Sequence, residues 1–179
     1  MPNNEEKLPE IMTHPEIALE LAERARADQK MRTRWTEEKI FLDEDDNFDK
    51  ESAEWMKKII AEIGWPTISK VGEIGAHDAW LLVQHADHDV EFQKQCLELM
   101  KAEKSGEVWK RDIAYLTDRI LVNEKKLQMY GSQFNDDDGV FTPKPIEDGE
   151  HVDERRKEME LGTLQEGIAE MYEKYKEEE

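Results

Sequence analysis

The run at residues 64–89, GWPTISKVGEIGAHDAWLLVQHADHD, does most to limit what this chain can become. Gly64 suits the left-handed residue that closes a helix, and Pro66 forces Trp65 into an extended conformation. One helix therefore ends near residue 63, and the next follows a short irregular link. The second helix, expected over about 73–86, carries the most apolar short run of the chain, Trp80-Leu81-Leu82-Val83. It ends in Gln84-His85-Ala86-Asp87-His88-Asp89. Four apolar residues are far too few to cross a bilayer. A buried helix that stops in amide, imidazole and carboxylate groups implies a helical fold, with a polar corner as the natural place for a site.

Helical spacing recurs on either side. Thr13-x-x-Glu16 with Pro15 reads as a capping box opening a first helix, whose inward face runs Ile17, Leu21, Ala25, Asp28, Arg32, Trp35. Asp28 and Arg32 are spaced as an i,i+4 ion pair. Trp55, Ile59 and Ile63, with Met56 and Ile60, form a second face. Asp89 fits the N-cap of a helix with the stripe Phe92, Cys96, Met100. From Trp109 through Val122 the pattern is apolar nearly all round, which marks an internal helix, and Asp118 and Arg119 in its middle need partners or a cavity. After residue 127 the period shortens. LQMYGSQF and VFTPKPI read as two arms of a hairpin over about 127–146, joined by NDDDG, with Pro143 and Pro145 keeping the second arm at an edge. Helices return at Val152 and after a second capping box, Thr163-x-x-Glu166. The expected class is mainly α (α+β): a single helical domain over 13–176, with a small β-hairpin before the C-terminal helices. Residues 1–12 read as a loose tail and 177–179 as a frayed acidic end.

The acid run 43–49 sets oxygens at Asp43, Asp45, Asn47, Asp49, Glu51 and Glu54, the spacing of a calcium loop. Phe48 replaces the glycine that the loop's turn requires, so the run reads as a solvated loop. The net charge of −19, from 44 acids and 25 bases, argues against nucleic acid and anionic membrane as partners and permits a basic protein partner. From Glu147 onward there are 13 acids and 5 bases, so the excess is concentrated near the C-terminus. A single cysteine, Cys96, excludes an internal disulfide and a cysteine-built zinc site. The N-terminal residues show no signal-peptide pattern, and the expected location is cytoplasmic.

The chemistry points to the corner. His85, with Asp87 or Asp118 orienting its ring, is a candidate general acid/base. The plainer alternative is a core histidine satisfied by a carbonyl or carboxylate. A metal on His85 and His88, completed by Asp87 or Asp89, is a lesser reading, because no second Glu-x-x-His or His-Glu-x-x-His follows. No Gly-x-Ser-x-Gly elbow supplies a serine nucleophile.

Gly64-Trp65-Pro66, Trp80-Leu-Leu-Val-Gln-His-Ala-Asp87, Thr117-Asp118-Arg119, Gln128-x-Tyr-Gly-Ser-Gln133, Pro145-Ile-Glu-Asp148 and Val152-Asp-x-Arg-Arg156 together resemble an uncharacterised bacterial family, a domain of unknown function. The resemblance extends from about 14 to 175 and includes Asp28-Gln29. Ser132 stands where threonine is expected. The resemblance implies no activity, but it singles out Asp28, Gln29, Gln84, His85, Asp87, Asp118, Arg119, Gln128, Tyr130 and Gln133, polar residues from separate segments. Two readings follow. In the first, a small enzyme uses His85 as acid/base, Asp118 or Asp87 as its orienting carboxylate and Arg119 as an anion anchor. Gln84, Gln128, Tyr130 and Gln133, with Asp28 and Gln29, hold a small polar substrate. In the second, the polar network is purely structural, and the chain is an acidic binding module that inhibits or regulates a basic protein partner.

Overall fold

A computed structural model describes residues 12–38, 40, 42, 45–137 and 139–174 of the 179. The protein is mainly α, 68% helical, and its described residues form seven α-helices and one two-stranded antiparallel hairpin before the last two of them. Its contacts divide it into two compact units: residues up to Leu82 with Glu103–Glu107, and Val83–Ala102 with the residues from Val108 on.

The first unit holds α1 (Pro15–Thr33), a π-helical turn (Arg34–Glu38), α2 (Asp45–Ile63) and most of α3 (Ile68–Gln84). α1 buries Ile17, Leu21, Ala25, Asp28 and Met31, close to the expected stripe. The capping box at Thr13 does not form. His14 is the N-cap without a side-chain bond, because the N–H groups of Thr13 and His14 donate to the carbonyls of Ser69 and Lys70 instead. The acid run is not a loop from Asp45 on: it is the first turn of α2, where carboxylates oppose the positive end of the helix dipole. Asp43 lies outside the described residues. α2 buries Ala53, Met56 and Ile59. It closes on Gly64, φ 72°, whose N–H donates to the Ile60 carbonyl at 2.9 Å. Lys70 Nζ then takes the carbonyls of Ile63 and Trp65 at 2.7 and 2.8 Å.

α3 starts five residues before the expected boundary and kinks at Gly72, φ 77°. Its Gly75 permits a close crossing with α1: a Cβ there would lie 3.5 Å from that of Ala18. Trp65, Val71, Ala79 and Leu82 fill this unit's core.

In the second unit, α4 (Val90–Ala102) packs against α5 (Lys110–Asn123). Asp89 caps α4 as expected, its Oδ1 accepting the Phe92 N–H at 3.0 Å, and Phe92, Cys96 and Met100 are buried. No residue of 112–122 is exposed, as an internal helix requires. The hairpin is shorter than the sequence pattern implies. β1 (Phe134–Asp137) pairs with β2 (Val140–Pro143), so Asn135, Asp136 and Asp137, expected in the turn, are strand residues. Residues 127–133 form no strand. Gln128 bridges to Ile146 in parallel, and the following residues loop back onto α5. Phe141 of β2 meets Tyr172 of α7 (Leu164–Lys174) edge-on at 5.4 Å. The short α6 (Val152–Glu158) precedes α7, whose capping box forms: Thr163 Oγ1 accepts the Glu166 N–H at 3.2 Å, and Glu166 accepts the Thr163 N–H at 2.6 Å.

Candidate functional site

Asp118 sits mid-helix on α5, fully buried. A carboxylate there is tolerable only if donors surround it. Its Oδ1 accepts the N–H of Met129 at 2.7 Å and of Tyr130 at 3.0 Å, and its Oδ2 accepts the N–H and the hydroxyl of Ser132, each at 2.9 Å. One short stretch of irregular backbone, 129–132, is thus drawn around a single charge. Gly131 completes the bend at φ 69°, and a Cβ there would come within 2.6 Å of Leu164 Cδ1 and 2.9 Å of Ile146 Cδ1. A threonine at 132 would offer Asp118 the same hydroxyl.

Gln128, also fully buried, fixes the ends of this loop. Its amide donates to the carbonyls of Gln133 and Lys144 at 3.0 and 2.7 Å, and its Oε1 accepts the Gln133 N–H at 2.9 Å. From α6, Arg155 donates to the carbonyls of Met129, Glu147 and Asp148, while Arg156 donates to those of Gly162 and Tyr130. Gly167 leaves room for Arg156: a Cβ there would stand 2.7 Å from its Nη2. Periodicity did not single out these arginines. They stand in the motif Val152-Asp-x-Arg-Arg156 and, with Lys157, form a run of three cations in an otherwise acidic segment, with no role assigned to them.

At the corner, Asp87 receives Arg119 Nε at 2.9 Å and Asn123 Nδ2 at 2.7 Å. Burial pushes the Asp87 carboxyl up, but Arg119 and the amides of Asn123 and Gln93 outweigh it and hold the group below its ordinary value. Gln93, fully buried and not anticipated from sequence, donates to the carbonyls of Val83 and Gln84 at the end of α3, at 3.3 and 3.0 Å. It caps a helix whose own sequence supplies no cap. Its position, one residue from the stripe of α4, was the only hint. His85 and Gln84 are half-buried, and His88 is exposed. Tyr130 is half-buried, and burial, followed by the charge of Asp118, raises its hydroxyl pKa. Corner and loop meet α5 at consecutive residues, Asp87 on Arg119 and Tyr130 on Asp118. Eight of the ten singled-out residues therefore belong to the second unit.

Asp28 and Gln29 belong to the first unit. Asp28, fully buried, accepts Gln29 Nε2 at 2.8 Å and Arg32 Nε at 3.1 Å, so the i,i+4 pair forms. Arg32 also reaches Asp49 at 2.7 Å and lies 5.0 Å from the Trp35 ring centre. Asp45 accepts Arg34, Trp35 Nε1 and the Leu42 N–H, and the Arg34 bond foremost holds its carboxyl at about 2. Two of the carboxylates spaced as in a calcium loop, Asp45 and Asp49, are thus engaged by arginines, and a third, Glu54, accepts Lys57 Nζ at 2.6 Å. Beside them is an open cleft of about 410 Å³, bounded by Lys30, Met31, Arg34, Asp45 and Phe48 among others. Among the described residues, no three His, Cys, Asp or Glu side chains gather to hold a metal. No described helix is long and apolar enough to cross a membrane.

The model of a family of unknown function, DUF6624, matches residues 15–177. The chain belongs to that family. No curated protein and no solved structure matches it. In this DUF6624 member the polar residues singled out by the resemblance can be placed one by one. Asp28, Gln29, Asp87, Asp118, Arg119, Gln128 and Gln133 form side-chain hydrogen bonds within the protein. Gln84, His85 and Tyr130 stand half-buried near the corner and loop that those bonds hold in shape.

Proposed function

We propose that this protein is an acidic binding module for a basic protein partner, with a polar network that serves the fold. The observation that carries the reading is where the hydrogen bonds of Asp118, Gln128, Arg155 and Arg156 go. All of them end on the chain's own backbone or on Ser132, and those of Asp118 occupy both oxygens. An orienting carboxylate for His85 needs a lone pair to spare, and an anion anchor needs an unpaired guanidinium. Asp118 and Arg119 are otherwise engaged. The inward turn of Arg155 and Arg156 has an electrostatic consequence. Among the described residues, the exposed charges of the C-terminal helices and their link are then Asp153, Glu154, Glu158, Glu160, Glu166, Glu170 and Glu173, against the single cation Lys157. Such a face steers a basic partner at long range and loses that effect as salt shortens the screening length from about 10 Å at 0.1 M to about 3 Å at 1 M.

The test is capture of basic proteins by the wild type and by a triple charge reversal, Asp153→Lys, Glu154→Lys and Glu158→Lys, in low and high salt. A partner retained at low salt, released at high salt and weakened by the reversal supports the reading. Binding indifferent to both salt and reversal would remove it.

The pocket reading keeps one observation in its favour, the meeting of corner and loop on adjacent residues of α5. It calls for His85 to exchange a proton with a small polar molecule held by Gln84, Tyr130 and Gln133. A metabolite that binds the wild type but not a stably folded His85→Gln variant would favour it.

A further inference from the structure

We infer that the edge shared by α1 and α3 is the surface on which an amphipathic, basic helix of a partner protein docks. The inference rests on the binding-module reading and names the partner's chemistry. α1 and α3 run side by side in the same direction: Thr13 and His14 donate to Ser69 and Lys70, and farther along Ala18 approaches Gly75. With about 100° of turn per residue, the residue after Ala18 and the residue before Gly75 project to the same side of a parallel pair. Those residues are Leu19 and Ile74, 69% and 75% exposed. Two large aliphatic side chains, this open and flanking one close crossing, form an apolar ridge.

The charges around the ridge select the occupant. Glu16 and Glu23 lie one turn before and after Leu19, both exposed, and Asp78 follows Ile74 by one turn. Asp78 is half-buried, and burial keeps its carboxyl above the ordinary value despite His77 and Arg26, so an added cation would relieve it. Of the nearby cations among the described residues, Lys70 is turned inward onto the carbonyls of Ile63 and Trp65, and Arg26 is exposed beside Asp78. A second copy is a poor occupant, since two chains of net charge −19 with the same acidic rim repel each other. A helix fits the groove beside two parallel helices. It would set apolar residues at i and i+3 or i+4 against Leu19 and Ile74, and lysines or arginines against Glu16, Glu23 and Asp78.

The probe is a synthetic helical peptide of leucines and lysines arranged amphipathically, compared with a scrambled peptide of identical composition. Binding is read by fluorescence anisotropy, and the footprint by amide hydrogen exchange on the full chain. The amphipathic peptide is expected to bind at least about tenfold more tightly than the scrambled one. It should slow exchange within 14–26 and 71–79, and lose about tenfold or more in the doubly substituted Leu19→Gln, Ile74→Gln chain. Both positions are exposed, so that variant should keep its circular dichroism and urea midpoint. Equal binding of the two peptides, or an unchanged affinity in the variant, overturns the inference. So does dimerisation of the wild type through this edge. A salt-sensitive footprint confined to the C-terminal helices overturns the inference but leaves the binding-module reading standing. Absence of salt-sensitive binding at either face defeats both.

Discussion

Replacing Asp118 with alanine should cost this protein a large share of its stability. The wild-type carboxylate accepts N–H groups from Met129, Tyr130 and Ser132 and the Ser132 hydroxyl, in a site without solvent exposure. Alanine removes every acceptor and leaves three backbone donors in a space no wider than a carboxylate. Each buried unmet donor costs about 1–3 kcal/mol, less whatever water enters or the loop relaxes. A net loss of about 3–5 kcal/mol is expected, against a total of about 5–15 kcal/mol for an ordinary domain. Asp118→Asn keeps one acceptor but turns an amide N–H₂ toward backbone N–H groups, and should cost about 2–3 kcal/mol. Urea titration with linear extrapolation measures both, and hydrogen exchange should show residues 128–133 losing protection first. If Asp118→Ala changed stability by less than about 1 kcal/mol, or raised it, the carboxylate would not be holding the loop. A residue kept for ligand chemistry at the fold's expense behaves in that way.

Four further outcomes follow. Gly131→Ala must place a side chain at φ 69° against Leu164 and Ile146, so it should lose about 2 kcal/mol or more, whereas Gly139→Ala, at φ 81° with open space around it, should lose about 1; equal urea midpoints would contradict the packing described. Asp45, and Glu124 through its bonds to Lys126 and Lys94, are held at about 2 and Asp87 is also depressed, so the folded chain binds fewer protons than the unfolded one in mild acid; stability from these groups should be complete above about pH 4.5 and drain as pH falls toward 2, and a midpoint flat across that window would refute it. His151 titrates above 6.5, chiefly through its bond to Asp148, so its small contribution is complete below that pH and is lost as pH rises through the folded value; an NMR titration should show Asp148→Asn returning it to normal, and an unchanged pKa would count against the pair. Arg156→Gln should expose the carbonyls of Tyr130 and Gly162 and destabilise by about 2 kcal/mol, and a neutral result would show the guanidinium to be dispensable to the loop.

Periodicity read well wherever a residue's role was local. The stripe of α4, the caps at Asp89 and Thr163, the stop at Gly64 and the Asp28–Arg32 pair depend on neighbours within one or two turns, and all appear in the structure; on α2 Met56 and Ile59 are buried as expected, while Trp55, Ile60 and Ile63 are part-buried and Ser52 and Ala53 join the inward face. The misses have long-range causes. The cap at Thr13 gave way to carbonyls some 56 residues along the chain. The run from Leu127 alternates like a strand, yet Asp118 and Gln128 take up its backbone groups, and the low-propensity Asn135–Asp137 segment becomes the strand because β2 lies opposite it. The acid run from Asp45 turned helical because Arg32 and Arg34 meet its carboxylates. The polar candidates themselves were legible. What they bond to was not, because an inward-facing carboxylate looks the same in sequence whether it awaits a ligand or a loop.

The most direct measurement is native mass spectrometry of gently purified protein at low ionic strength, run beside His85→Ala. The binding-module proposal predicts a chain free of small molecules that carries a basic protein, released as salt is raised and retained by His85→Ala. A small molecule held by the wild type and absent from a folded His85→Ala variant would contradict it and restore His85 to the centre of a catalytic pocket.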